Sequence, residues 1–287
     1  MQEHIDPYAA LEARFVSFAG CEDRIAAAIV IGSRARSDRP ADAYSDLDML
    51  LVVEDPAFFL STDDWLRQIG AYHISFEQDT IGGLKERRVL FDGALDVDFV
   101  LLPEAAAAAA LQSAEGIGIL ARGYRVLIDK RGLSALLPAG EGEARRRAVP
   151  PPDEAEFLHC AHDFWYHAVW TAKKLLRGEV WIAKSCLDGY MKHRLLWMIE
   201  RHAHATQGPG CDTWHGGRFL DTWADAATRR GLREAFARYD AEDIGRALFA
   251  TMDLFRDLAK ESAGRLGFDY PAQADRAATE WVSTLLD

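Results

Sequence analysis

Asp46 and Asp48 stand two residues apart where a polar loop enters the apolar run Leu47–Val53. In a strand, positions i and i+2 share a face, so the two carboxylates project together. Ionised carboxylates at that distance repel, and a divalent cation removes the conflict. An all-oxygen ligand set favours Mg²⁺ over Zn²⁺. A second apolar run, Ile25–Ile31, ends immediately before Gly32 and Ser33. Gly32 lets the backbone approach a ligand closely, and Ser33 offers a hydroxyl at a helix start, where anions bind. Together these residues read as a phosphate-gripping turn beside a magnesium-gripping strand. A lone Asp-x-Asp is often a solvated surface turn, but here both apolar runs and the Gly-Ser turn stand at the separation the chemistry needs.

The elements that position these groups follow from the pattern around them. Asp6 and Pro7 predict a helix start, with Tyr8, Leu11, Phe15 and Phe18 on one face and Gly20 at its end. Ile25–Ile31 is the first strand, Ser33–Arg36 begins a short helix, and Leu47–Val53 is the second strand. A helix starts at Ser61–Asp64 and a weaker strand covers Tyr72–Phe76. Arg87–Phe91 and Ala94–Leu102 are joined at Asp92–Gly93, a hairpin signal. Pro103–Ala121 predicts one Ala-rich helix, and Tyr124–Ile128 an edge strand. Residues 134–152 carry Pro, Gly and the basic run Arg145–Arg147, read as a linker with a solvated face. Beyond it the pattern turns to long helices, at about Asp153–Arg177 and Val180–His204, then shorter ones at Phe219–Ala226 and Gly231–Tyr239, a long one at Asp243–Leu266 and a last one ending near Leu286. The expected fold is therefore α+β: residues 1–133 form a mixed β-sheet domain with flanking helices, 134–152 a linker, and 153–287 an all-helical domain.

The Gly32-Ser33 turn followed by Asp46-x-Asp48 resembles the nucleotidyltransferase superfamily that includes DNA polymerase beta. The fuller pattern, with Arg34, Asp42 and Ser45, is similar to the aminoglycoside 6-adenylyltransferase (streptomycin adenylyltransferase) branch. That superfamily needs a third carboxylate on a neighbouring strand, and the branch places it in an Ile-Asp-Leu-Thr-Leu-like strand before a proline. Asp98 matches that position ahead of Pro103, while Asp96 shares its face as a surplus acid, either exposed or a supporting partner. Phe164-Trp165, Ala172-Lys173, Leu176-Arg177 and Glu179 extend the resemblance into the helical part, as do His193, Leu195-Leu196 and Met198-Ile199.

The resemblance implies a Mg²⁺-dependent enzyme with ATP as co-substrate and two metal ions. It transfers AMP to a hydroxyl of an aminoglycoside, streptomycin at its 6-hydroxyl in the first instance, releases pyrophosphate and confers antibiotic resistance. In the two-metal scheme, Asp46 and Asp48 bridge both ions and Asp98 holds the one that activates the hydroxyl. Gly32 and Ser33 cradle the phosphates, with Arg34 and Lys173 assisting. A polycationic acceptor needs carboxylates and aromatic faces. Glu156, Asp163, Trp165, Tyr166 and Asp188 on the first two C-terminal helices are candidates, as are Glu86 and Asp96 from the sheet. Asp163 and Asp188 are also candidates for a separate general base. The site is expected in the cleft between the domains.

Composition is consistent with these expectations. The chain has 287 residues, 49% of them hydrophobic, and a formal net charge of −12. That balance disfavours a nucleic-acid partner and suits a cationic small molecule. The N-terminal residues lack a signal-peptide pattern, and the Ala105–Leu111 run is too short to span a bilayer, so neither export nor membrane insertion is expected. Cys21, Cys160, Cys186 and Cys211 are scattered, as suits reduced cytoplasmic thiols. His159, His162 and His167 lack the further ligands of a zinc site. No Walker A or Gly-x-Ser-x-Gly pattern occurs. The alternative functions are nucleotidyl transfer to another acceptor, a lincosamide or a protein side chain as in toxin–antitoxin enzymes, and a non-catalytic nucleotide-binding protein.

Overall fold

The computed structural model describes residues 6–37, 39–138, 151–213 and 216–286. The chain divides into two compact units, Met1–Arg147 and Ala148–Asp287. Arg145–Arg147 and most of the expected linker lie outside the described residues.

The first unit is a six-stranded mixed sheet with helices. Its strands are β1 (Ile25–Ile31), β2 (Leu47–Val53), β3 (Tyr72–Asp79), β4 (Lys85–Phe91), β5 (Leu95–Pro103) and β6 (Arg125–Asp129), in the spatial order β3-β4-β5-β2-β1-β6. Only β2 and β5 pair in parallel; the other neighbours are antiparallel. The parallel pair sets the site, because its register puts Asp48 beside Asp98. Odd-numbered residues of β2, β4 and β5, among them Leu47, Met49, Leu51, Val89, Val97 and Phe99, bury one face under α1 (Pro7–Cys21), α2 (Pro56–Ser61) and α3 (Asp64–Ile69). Even-numbered residues face the other side. There α4 (Glu104–Gln112) and α5 (Ala114–Leu120) pack on Val52 and Leu102, at the far ends of the strands that carry Asp48 and Asp98.

The β4–β5 hairpin turns at Asp92–Gly93–Ala94, with positive φ at Gly93 (80°) and Ala94 (58°). The single helix expected over Pro103–Ala121 is broken at Ser113. Its hydroxyl caps α5 by accepting from the Gly116 N–H, and an added Cβ at Gly116 would lie 2.2 Å from the Ala110 carbonyl oxygen.

The second unit is helical: α6 (Glu154–Leu176), α7 (Val180–Ser185), α8 (Met191–Gln207), α9 (Leu220–Trp223), α10 (Ala226–Ala235), α11 (Ala241–Leu266) and α12 (Ala272–Leu286). Asp153 caps α6 by accepting from the Glu156 N–H. The core is built on α6, α8 and α11, with Phe164 stacked on Phe255 at 3.7 Å. The helix expected over Val180–His204 is interrupted by a π turn at Cys186–Tyr190. The helix expected at Gly231–Tyr239 starts earlier, because Asp225 caps α10 at Thr228. No helix among the described residues is long and apolar enough to cross a membrane.

Candidate active site

At the end of β1 the chain turns through Gly32 at φ +70° into a single 3₁₀ turn, Gly32–Ala35. Positive φ is strained for any residue with a side chain, and here space forbids one as well. A Cβ on Gly32 would stand 2.2 Å from Asp48 Oδ2. The turn is thus packed directly against the carboxylate it accompanies. Gly32→Ala is expected to displace Asp48 and cut turnover by about a hundredfold. Steady-state kinetics alongside a melting curve checks this, since the substitution should leave the fold cooperative. The Ser33 hydroxyl oxygen is buried and has no hydrogen-bond partner among the described residues. An orphan hydroxyl beside such a turn fits a phosphate oxygen.

Asp46, Asp48 and Asp98 each present a carboxylate oxygen within 4.8 Å of the others. Three hard oxygen donors converging in this way fit Mg²⁺ ions rather than a thiolate- or imidazole-preferring metal. Asp98 is the most enclosed of the three, 9% exposed as a residue. Burial pushes its carboxyl up to about 6; Arg88 pulls the other way, and Glu86, Asp46 and Asp96 add to the rise.

Arg88 lies opposite Asp98 on β4, with Nη2 2.9 Å from Asp98 Oδ2, and its Nε donates to Glu86 Oε1 at 2.6 Å. Glu86 is buried and committed to that arginine. Sequence reasoning missed Arg88: a two-residue turn at Asp92–Gly93 would pair residue 88 with residue 97, and only the three-residue turn Asp92–Ala94 sets it opposite Asp98.

Arg34, which the resemblance implied as a phosphate contact, has its side chain engaged within the protein. Its side chain is 8% exposed. Nε donates to the Asp46 carbonyl at 3.1 Å, Nη2 to the Ser45 carbonyl at 3.0 Å, and Nη1 to Asp6 Oδ2 at 3.0 Å. The guanidinium lies 3.6 Å from the centre of the Tyr8 ring. The Tyr8 hydroxyl in turn donates to Asp96 Oδ1 at 3.0 Å and accepts from the Asp96 N–H at 3.2 Å. Burial, together with that carboxylate, pushes the Tyr8 hydroxyl up to about 12. Arg34 therefore clamps the loop that delivers Asp46, and Asp96 anchors α1 through Tyr8. Asp42 and Ser45 shape the same loop: Asp42 Oδ1 accepts from the Tyr44 N–H and the Ser45 hydroxyl, and Ser45 Oγ accepts from the Asp42 N–H.

The sequence model of the family described as streptomycin adenylyltransferase matches residues 9–285. The chain belongs to the streptomycin adenylyltransferase family. Membership in that family makes it a nucleotidyltransferase. An aminoglycoside 6-adenylyltransferase of Bacillus subtilis (strain 168) is 23% identical over 264 residues, covering 90% of each chain. One from Campylobacter jejuni is 22% identical over 264 residues, covering 89% of this chain and 88% of its own. A crystal structure of an aminoglycoside 6-adenyltransferase from Bacillus subtilis aligns over 96% of this chain and 97% of its own, with 20% identity and a TM-score of 0.46.

In this member of the streptomycin adenylyltransferase family, two of the acidic candidates of the helical unit, Asp163 and Asp188, are already paired. Asp163 on α6 lies 2.7 Å from Arg194 Nε and 2.9 Å from His167 Nδ1, and it accepts from the Tyr190 hydroxyl at 2.8 Å. Asp188, in the π turn, pairs with Lys184, lies 3.5 Å from Lys192 Nζ and accepts from the Ala237 N–H at 3.4 Å. Burial pulls the Lys192 ammonium down to about 8, against the opposing pull of Asp188. Neither carboxylate is a free base; both hold cations between helices.

Charge reversal at Asp163 or Asp188 is expected to destabilise the helical unit by about 3 kcal/mol, because it leaves a half-buried cation facing its own sign. A fall in melting temperature of both variants checks this. Trp165 is a core residue, 2% exposed, rather than an open acceptor face, whereas Tyr166 and Glu156 are exposed. Lys173 is exposed, and its neighbour Lys174 is tied to Glu179 at 2.6 Å. Among the described residues, the histidines of α6 join no metal-binding group.

Proposed function

We propose that the protein transfers AMP from ATP to a hydroxyl of a streptomycin-like aminoglycoside, at the 6-hydroxyl, and releases pyrophosphate. The observation that carries this reading is the Asp46–Asp48–Asp98 cluster packed against the Gly32–Ser33 turn in a chain of this family. Asp46, Asp48 and Asp98 would hold two Mg²⁺ ions, which when bound supply positive charge to the attacking and leaving oxygens.

The chain's own residues do the rest. The Gly32 turn brings backbone close to the triphosphate, and Ser33 Oγ hydrogen-bonds a phosphate oxygen. Arg34, through the Ser45 and Asp46 carbonyls, fixes the loop so that Asp46 is delivered in register with Asp48. The acceptor oxygen forms a bond to the α-phosphorus as the bond from that phosphorus to the bridging oxygen of the β-phosphate breaks. Pyrophosphate leaves, and the hydroxyl proton passes to solvent water. A cytoplasmic reaction, where ATP is available and thiols stay reduced, agrees with this reading.

An acceptor with several positive charges suits a chain of net charge −12. Affinity for streptomycin is expected to fall only moderately as salt is raised, since enclosed charge pairs are screened less than exposed ones, for which the Debye length is roughly 8 Å at physiological ionic strength. Titration calorimetry in the presence of a non-hydrolysable ATP analogue and Mg²⁺ tests this. Absence of heat with streptomycin and with other aminoglycosides, alongside normal nucleotide binding, would remove this class of acceptor.

A further inference from the structure

A cavity of about 1000 Å³ opens on the helical unit between α6 and α12. On α6 it is lined by one helical stripe that includes His162, Trp165, Tyr166, Trp170 and Lys173. From α12 come Trp281 and small apolar side chains such as Ala274 and Ala278. Trp165 forms the floor at 2% exposure, while Tyr166 and Trp281 stand at the rim, 66% and 57% exposed. The cavity has the size of a small-molecule site, and its walls are aromatic planes that favour a flat ligand.

Its charge is the reverse of the chain's. No carboxylate lines it among the described residues, although the protein carries a net charge of −12. Lys173 is the cation on its wall among the described residues. The adjacent Lys174 turns instead to Glu179, with its ammonium 5.1 Å from the centre of the Trp170 ring. A polycationic aminoglycoside would find no counter-charge here and would be repelled by Lys173.

We propose that this cavity binds a flat aromatic ligand carrying an anionic group, its rings against Trp170 and Trp281 and its anion on Lys173. This goes beyond the transfer reaction and requires no turnover to test.

The probes are 1-anilinonaphthalene-8-sulfonate, an aromatic anion, and N-phenyl-1-naphthylamine, its neutral counterpart, titrated by fluorescence into the full-length protein. Lys173→Met is expected to weaken the anionic dye about tenfold and the neutral dye less than about twofold, as the loss of one enclosed charge contact predicts. Trp281→Ala is expected to weaken both dyes about tenfold. Both positions are exposed, so the variants should melt with the parent, and a melting curve confirms it. ATP added without divalent metal separates the two sources of such a ligand: displacement of the sulfonate identifies the nucleotide, and retention identifies a separate aromatic anion. Streptomycin is expected to displace neither dye. Displacement by streptomycin, or a Lys173→Met variant that binds both dyes as the parent does or weakens both equally, would overturn the proposal.

Discussion

Replacing Asp46 or Asp48 by asparagine is expected to lower AMP transfer by at least about three orders of magnitude, with no loss of thermal stability. The two side chains are half-buried and, with Asp98, bring carboxylate oxygens within 4.8 Å of one another. In the metal-free protein the three like charges repel one another, so removing one relieves part of that repulsion. On the proposed reading the cluster would supply the negative charge that holds the cations, and an amide would supply none. Turnover and melting should be measured on the same preparations. Near-normal turnover in either variant would remove that residue from the metal site.

Asp98→Asn is expected to abolish turnover and at the same time to raise the melting temperature of the metal-free protein at neutral pH. Burial holds the folded carboxyl up at about 6, against 3.8 for an ordinary aspartate. Between those values the folded state binds more protons than the unfolded state, so stability falls as pH rises from about 4 to 6 and stays reduced above that. The full deficit is about 3 kcal/mol. Asparagine cannot ionise, and Arg88 keeps its bond to Glu86, so the variant escapes the deficit. The two proteins should melt together near pH 4 and diverge by pH 7. Mg²⁺ should raise the melting temperature of the parent more than that of the variant. A variant that melts below the parent at pH 7 without metal would show that Asp98 is stabilising rather than strained. Asp96→Asn is the contrast: it faces solvent and Tyr8, and little effect on turnover is expected.

The site was legible in the sequence wherever one short-range rule sufficed. Period-2 alternation put Asp46 and Asp48 on one face, and the strand before Pro103 put Asp98 beside them, as the parallel β2–β5 register shows. The contacts of Arg34 were not legible, because its position after Gly-Ser suggests phosphate, while its direction is set by Asp6, Tyr8 and the carbonyls of a loop distant in sequence. Arg88 needed the hairpin register carried across to the third acid. In the helical unit, Lys184, Asp188 and Lys192 at i, i+4 spacing already announced a local charge network rather than a free base. Its π turn was not legible, since a one-residue widening leaves the apolar pattern nearly intact. The break at Ser113 was signalled by a capping residue inside an alanine run whose helix propensity hid it.

The reaction itself is the most direct test. ATP labelled at its α-phosphate is incubated with the protein, Mg²⁺ and streptomycin, and the products are separated while pyrophosphate is assayed in parallel. The label should move onto streptomycin, with one pyrophosphate released for each AMP transferred, and the Asp48→Asn variant should transfer none. Label appearing on protein instead, or no transfer to streptomycin or to any aminoglycoside of a broader panel, would contradict the assignment of an aminoglycoside as the acceptor.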